Sequence, residues 1–212
     1  MLIFLIGPAA AGKTTVAKHI TSCYSGFNHV SDLTDLNKQV KGSELGNENQ
    51  RVVRLPHGGF KIFDPVVWDE ALKSVAFSHR STPNLVFEFS RGLDQAYLTL
   101  HGIKSNEVYD PSFQILADVF SSRINREAIV IVVDAPFEIR DRRNSGRRLA
   151  GEHSVDPSEF RRLFRSQLFS WDHQKERYLI PATTTALPVT YLDNTRTPFD
   201  PVKFPLPLKG RA

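Results

Sequence analysis

The chain has 212 residues, 41% of them hydrophobic and 24% charged, with a formal net charge of +4. That size and balance suit one α/β domain, spanning 1–212, with a single buried core. The one cysteine, Cys23, excludes an internal disulfide, and no Cys/His cluster has zinc-ligand spacing. No stretch approaches the ~20 apolar residues of a membrane span, so the expected address is cytoplasmic with no membrane partner.

Residues 2–6, Leu-Ile-Phe-Leu-Ile, are expected to form a short buried strand. This run is apolar enough for a signal peptide, but it lacks a basic leading segment and passes straight into a motif. Gly7-Pro8-Ala9-Ala10-Ala11-Gly12-Lys13-Thr14-Thr15 matches G-x-x-x-x-G-K-[ST], the phosphate-binding P-loop. Gly7 and Gly12 let the backbone turn tightly and approach an anion with no Cβ in the way. The N–H groups from Ala10 and Ala11 to Thr15, at a helix N-terminus, then point at a β-phosphate. Lys13 reaches the β- and γ-phosphates, and the Thr14 hydroxyl suits Mg²⁺. The expected ligand is a nucleoside triphosphate.

The helix that follows, about 14–24, carries Cys23, which reads as a buried, inert thiol. A second strand at 28–31 ends at Asp32. Ligands in parallel α/β sheets bind beyond the carboxyl ends of strands, so Asp32 or Asp35 is placed to act as general base. Asp32 as the cap of a turn or helix is the alternative. Residues 38–63 read as an insertion: a polar excursion, then 51–55 and 60–63 flanking Pro56-His57-Gly58-Gly59 as a β-hairpin. Asp64-Pro65 then opens a helix with Trp68, Ala71, Leu72, Val75 and Ala76 on its apolar face.

Leu85, Val86, Phe87 and Phe89 form a strand apolar enough to be buried on both faces, and Glu88 interrupts it. A carboxylate there must be functional or paired, because burying an unpaired charge is costly. Either Glu88 helps hold Mg²⁺ or its water while Arg91 contacts substrate or phosphate, or the two form a structural ion pair. Residues 93–100 are weakly helical. Asp110-Pro111 opens a further helix with Phe113, Leu116, Val119 and Phe120 inward. Residues 128–133 are a buried strand ending at Asp134. A basic helix over 137–148 is expected to break near Ser145-Gly146. Asp156-Pro157-Ser158-Glu159 opens another helix. A last strand, 187–192, ends at Asp193-Asn194-Thr195, before an extended proline-rich tail over 198–212. Arg140, Arg142, Arg143, Arg147, Arg148, Arg161, Arg162 and Arg165 crowd one region, where they grip phosphates, bind nucleic acid or form a solvated face.

The order of these features resembles the P-loop kinases that act on nucleosides, nucleotides and small metabolites, over most of the chain outside 38–63 and the tail. The resemblance implies a three-layer α/β/α fold with a five-stranded parallel sheet in the order 2-3-1-4-5. It also implies a lid at about 140–155, with Arg143 and Arg147 folding over the triphosphate. Asp32 matches the general base of several small-molecule kinases. Glu88 and Arg91 resemble the Glu-Arg pair of deoxynucleoside kinases, although Phe89 and Ser90 separate them here. Asp193-Asn194-Thr195 falls where the family builds its adenine pocket. Asn37-Lys38-Gln39-Val40 lacks the aspartate of a guanine-reading N-K-x-D, which favours ATP over GTP. The implied reaction is ATP- and Mg²⁺-dependent phosphoryl transfer to a small-molecule acceptor. A nucleotide-binding ATPase or regulator, or a nucleic-acid-end kinase, is the alternative.

Overall fold

The apolar opening run forms β1 (Leu2–Ile6), and all five side chains are buried. The structure is a computed structural model that describes residues 1–31, 38, 52–54, 60–62, 64, 66–89, 112–151, 154–165, 177–179 and 186–195. Asp32, Asp35, His57, Arg91, the Asp110-Pro111 pair, the 93–100 stretch and the 198–212 tail lie outside the described residues, as does the Trp68 side chain.

β1 is followed by α1 (Lys13–Cys23) and β2 (Phe27–Ser31), then by β3 (Val52–Arg54), β4 (Phe60–Ile62) and α2 (Val66–Ser78). Next come β5 (Asn84–Glu88), α3 (Ser112–Phe120), α4 (Ser122–Glu127), β6 (Ala128–Asp134) and α5 (Phe137–Leu149). α6 (Pro157–Phe164), β7 (Arg177–Leu179) and β8 (Ala186–Asp193) complete the described elements. β2, β5, β1, β6 and β8 lie side by side and parallel, which is the expected 2-3-1-4-5 order. A sixth strand, β7, joins the edge antiparallel to β8. Three residues are too few for side-chain alternation to announce a strand. β3 and β4 pair antiparallel as the expected hairpin.

The sheet is covered on both faces, which is why β1 and β6 read as long apolar runs and β5 as one interrupted only at its end by Glu88. Phe4 and Ile6 point to one face with Leu72 and Val75 of α2 and Phe113 and Leu116 of α3. Phe4, Phe89 and Phe113 meet edge to face there, at centroid distances of 5.4–6.4 Å. Ile3 and Leu5 point to the other face, against Val16, Ala17 and Ile20 of α1. Each large side chain so buried contributes about 1.5–3 kcal/mol of transfer free energy. Cys23 continues the spacing of Val16 and Ile20, yet it is exposed. It is the last helical residue; the following Tyr24 packs against the core, and the Cys23 thiol lies beside His19 on the exposed side. Among the described residues no helix is long and apolar enough to cross a membrane.

Caps start the helices as their sequences suggest. Asp64 Oδ1 accepts the Val66 N–H at 3.0 Å, and Asp156 Oδ1 accepts the Ser158 N–H at 2.9 Å. The expected break in α5 is absent: the helix runs through Ser145-Gly146 to Leu149. Buried Asn144 explains this, because it exchanges two hydrogen bonds with the Val155 backbone, at 2.8 and 3.0 Å, and ties the following turn to α5. Gly146 is therefore an interior helical glycine, and a Cβ there would meet nothing within 4 Å. Gly146→Ala should stabilise the protein by about 0.5–1 kcal/mol in denaturant unfolding. A destabilised variant would contradict a continuous α5.

Candidate active site

The chain leaves β1 for β2 on one side and later crosses to β6 on the other. This makes the carboxyl end of β1 the crevice where ligands bind in such sheets. The loop there is built by close approach. A Cβ on Gly7 would lie 2.0 Å from the Val133 carbonyl oxygen of β6. Ala10 and Gly12 take positive φ values of 61° and 101°, and the Ala11 N–H closes a turn onto the Pro8 carbonyl at 3.2 Å. α1 begins at once, so the N–H groups of Lys13 and Thr14 at its start have no carbonyl one turn back to accept them. Lys13 is buried and folds back over the loop, donating from Nζ to the carbonyls of Gly7 at 3.0 Å and Pro8 at 3.1 Å. Thr15 is exposed and donates its N–H to the Gly12 carbonyl.

Parallel pairing brings Glu88 to this loop. Its Cα lies opposite Leu5 on one side and Ser31 on the other. Glu88 is only 2% exposed, and both of its oxygens are engaged. Oε1 accepts the Thr14 hydroxyl at 2.8 Å, and Oε2 lies 2.9 Å from His29 Nε2. Burial pushes this carboxyl up. The His29 hydrogen bond, the Lys13 charge and the Thr14 hydroxyl outweigh that and hold it below the ordinary carboxylate range. His29 is the Glu88 partner that the sequence did not announce. The available signal was period two on β2: His29 and Ser31 share a face, and Ser31 pairs with Glu88. The alternative partner, Arg91, lies outside the described residues.

Thr14 and Glu88 supply two adjacent hard oxygen donors. Such a set fits Mg²⁺, which takes one or two protein oxygens and completes its shell with phosphate and water. Among the described residues, no group of three or more His, Cys, Asp or Glu could hold a metal ion.

The arginines of α5 divide by partner. Arg140 is buried and donates to the Ala135 carbonyl at 3.1 Å and to the loop carbonyl of Ala9 at 3.4 Å. Arg143 donates to the carbonyls of Ala11 at 3.0 Å and Asn194 at 2.6 Å. Burial lowers both guanidinium pKa values; Asp134 and Glu138 oppose it at Arg140, while Arg147 reinforces it at Arg143. Arg147, one turn along, is half-buried. Arg148 and Arg161 instead pair with Asp156 at 2.6 Å and Asp141 at 2.9 Å, joining α5 to the start of α6. Asn194 turns toward the loop, with Nδ2 2.7 Å from the Ala11 carbonyl. Its neighbours Asp193 and Thr195 line a cleft of about 390 Å³ with Asp134, Pro136 and Tyr191.

No protein-family model matches the chain, and no curated protein sequence aligns with it significantly. Solved structures do resemble it. A candidate kinase from Chloroflexus aurantiacus is 15% identical over 92% of this chain and 88% of its own, with a TM-score of 0.52. Chaetomium thermophilum Kti12, solved with ADP-AlF3, is 15% identical over 91% and 89%, with a TM-score of 0.51. This is a P-loop kinase fold. A chain of the Pnkp1/Rnl/Hen1 RNA repair complex shares it at 13% identity and a TM-score of 0.50, over 88% of this chain and 47% of that one. At these identities the likeness is one of fold, and within that fold Glu88 stands on the strand beside β1, facing the P-loop threonine.

The depressed Glu88 pKa has a signed consequence. A carboxyl whose folded pKa lies below its unfolded value stabilises the fold fully above the ordinary value of about 4.5 and loses that contribution as pH falls through the folded value. Glu88→Gln should be less stable at neutral pH and should show a flatter decline below about pH 4.5. An acid limb identical to that of the unsubstituted protein would contradict the buried, ionised carboxylate.

Proposed function

We propose that this protein is an ATP- and Mg²⁺-dependent phosphotransferase that moves the γ-phosphate to a hydroxyl or phosphate group of a small molecule. The carrying observation is the buried Glu88 carboxylate hydrogen-bonded to Thr14 beneath a P-loop lysine. The Thr14 and His29 hydrogen bonds and the Lys13 charge keep this buried acid ionised in the absence of ligand, and an ionised carboxylate beside a hydroxyl is a donor pair suited to a hard cation. Thr14 and Glu88 would hold Mg²⁺, which when bound neutralises charge on the β- and γ-phosphate oxygens. Lys13 would exchange the Gly7 and Pro8 carbonyls for phosphate oxygens, supported by the N–H groups from Ala10 to Thr15. Arg147 would offset charge on the transferring group. Asp32 or Asp35, just past β2, would take the proton of an acceptor hydroxyl, and Arg91 would contact the acceptor. Catalysis of this kind rests on positioning and charge neutralisation, with no covalent step for the protein to perform.

The acceptor reading weighs the basic region. Arg148 and Arg161 are tied to carboxylates, which thins the positive face available to a polynucleotide backbone. The RNA-repair neighbour keeps a nucleic-acid end as the second reading.

Transfer of label from γ-labelled ATP to a panel of nucleosides, nucleotides, sugars and oligonucleotides tests the proposal. Label in one small molecule is the expected result, and label only in oligonucleotide ends would transfer support to the second reading. Lys13→Ala should lower turnover by about a hundredfold or more. Asp32→Asn should abolish transfer to a hydroxyl while leaving ATP affinity nearly intact, and unchanged turnover would remove Asp32 from the mechanism.

A further inference from the structure

Two side chains remote in sequence close on a single carbonyl oxygen. Arg143 Nη1 and Asn194 Nδ2 both donate to Ala11 O, at 3.0 and 2.7 Å. They are also bound to each other, since Arg143 Nη2 donates to the Asn194 carbonyl at 2.6 Å. The Asn194 N–H in turn donates to the Asp134 carbonyl at 2.8 Å, anchoring the pair to the end of β6. Asn194 is 4% exposed, and its carboxamide presses on the loop so closely that a Cβ on Gly12 would come within 2.2 Å of Nδ2. Among the described residues its buried Oδ1 finds no hydrogen-bond donor. A flipped amide would set that oxygen against Ala11 O, so the carbonyl alone dictates which way the side chain faces.

In a planar trans peptide the carbonyl and the following N–H point to opposite sides. Holding Ala11 O toward Arg143 and Asn194 therefore turns the Gly12 N–H the other way, away from these two side chains. We propose that Arg143 and Asn194 are positioning residues that fix the Ala11–Gly12 peptide with its N–H presented to a phosphate group, and that neither touches the ligand's phosphates. This rests on the loop binding phosphate, as proposed above. It also gives Gly12 a second role besides its positive φ: it leaves room for the carboxamide that orients it. Because Arg143 stands on α5 and Asn194 follows β8, the phosphate cradle is set by the two elements that border its far side.

Inorganic tripolyphosphate tests this, because it offers phosphate charge without a base for residues 193–195 to read. In the unliganded protein, the Gly12 amide ¹⁵N and Ala11 carbonyl ¹³C resonances report hydrogen bonding at Ala11 O. Asn194→Ala and Arg143→Ala should each shift both resonances before any ligand is added. Each should also weaken tripolyphosphate binding about tenfold, the worth of one well-made hydrogen bond. Arg143→Lys, which keeps one donor, should recover part of the shift and part of the affinity. Ligand-free resonances that stay in place in both alanine variants overturn the proposal, as does an Arg143→Lys variant that restores the ligand-free resonances without recovering any affinity, because the arginine would then act on phosphate directly. Unchanged affinity in both alanine variants overturns it while leaving the phosphotransferase reading intact. A wild-type protein that binds neither tripolyphosphate nor ATP removes both. If Asn194→Ala does not fold, the Arg143 pair decides on the same readouts.

Discussion

A carboxylate buried at the end of a central strand has to be matched by donors, and much of this molecule supplies them. Glu88 gives up its hydration where water is nearly excluded, a cost of several kcal/mol if left uncompensated. The compensation comes from two elements: the Thr14 hydroxyl and the Lys13 ammonium at the start of α1, and the His29 ring on β2. Each is in reach only because β1 sits between β5 and β6 and because β2 pairs with β5 in one register. Slipping β2 by one residue would turn His29 to the opposite face and leave one Glu88 oxygen without its partner.

The same economy of placement shapes the loop. Gly7 lies against the Val133 carbonyl with no room for a side chain, so β6 sets the height at which the chain turns. Arg140 and Arg143 then reach from α5 to the loop carbonyls of Ala9 and Ala11. These guanidinium groups are partly desolvated and bonded to backbone oxygens, which makes them braces for the cradle. Arg148 and Arg161, by contrast, are exposed and held in ion pairs with Asp156 and Asp141.

The fold was legible because its signals are local. An apolar run followed by G-x-x-x-x-G-K-[ST] places β1, the loop and α1 without reference to the rest of the chain, and unbroken apolar strands announce a sheet covered on both faces. Glu88 was legible as an acid inside such a strand, although its partners were not. His29 lies 59 residues away, and only the β2–β5 register joins them. Asn194 was assigned to a base pocket from its place after the last strand, whereas its side chain turns to the loop, because the deciding contact spans 183 residues. Gly146 suggested a break in α5 that tertiary hydrogen bonds from Asn144 override, and Cys23 matched the buried spacing of α1 at its last residue, where Tyr24 takes the core contact and the thiol stays outside beside His19. Edge strand β7 is too short to carry a pattern. The candidate base and the acceptor-side arginine, Asp32, Asp35 and Arg91, lie outside the described residues.

If Thr14 and Glu88 make the loop a seat for a metal–triphosphate complex, Mg²⁺ must strengthen ATP binding through that carboxylate. Calorimetric ATP affinity with and without Mg²⁺, in the wild-type protein and in Glu88→Gln, tests it most directly. Tighter binding with Mg²⁺ in the wild type, and loss of that gain in Glu88→Gln, is the expected result. ATP affinity indifferent to Mg²⁺ in the wild type, or a gain retained in the variant, would contradict it.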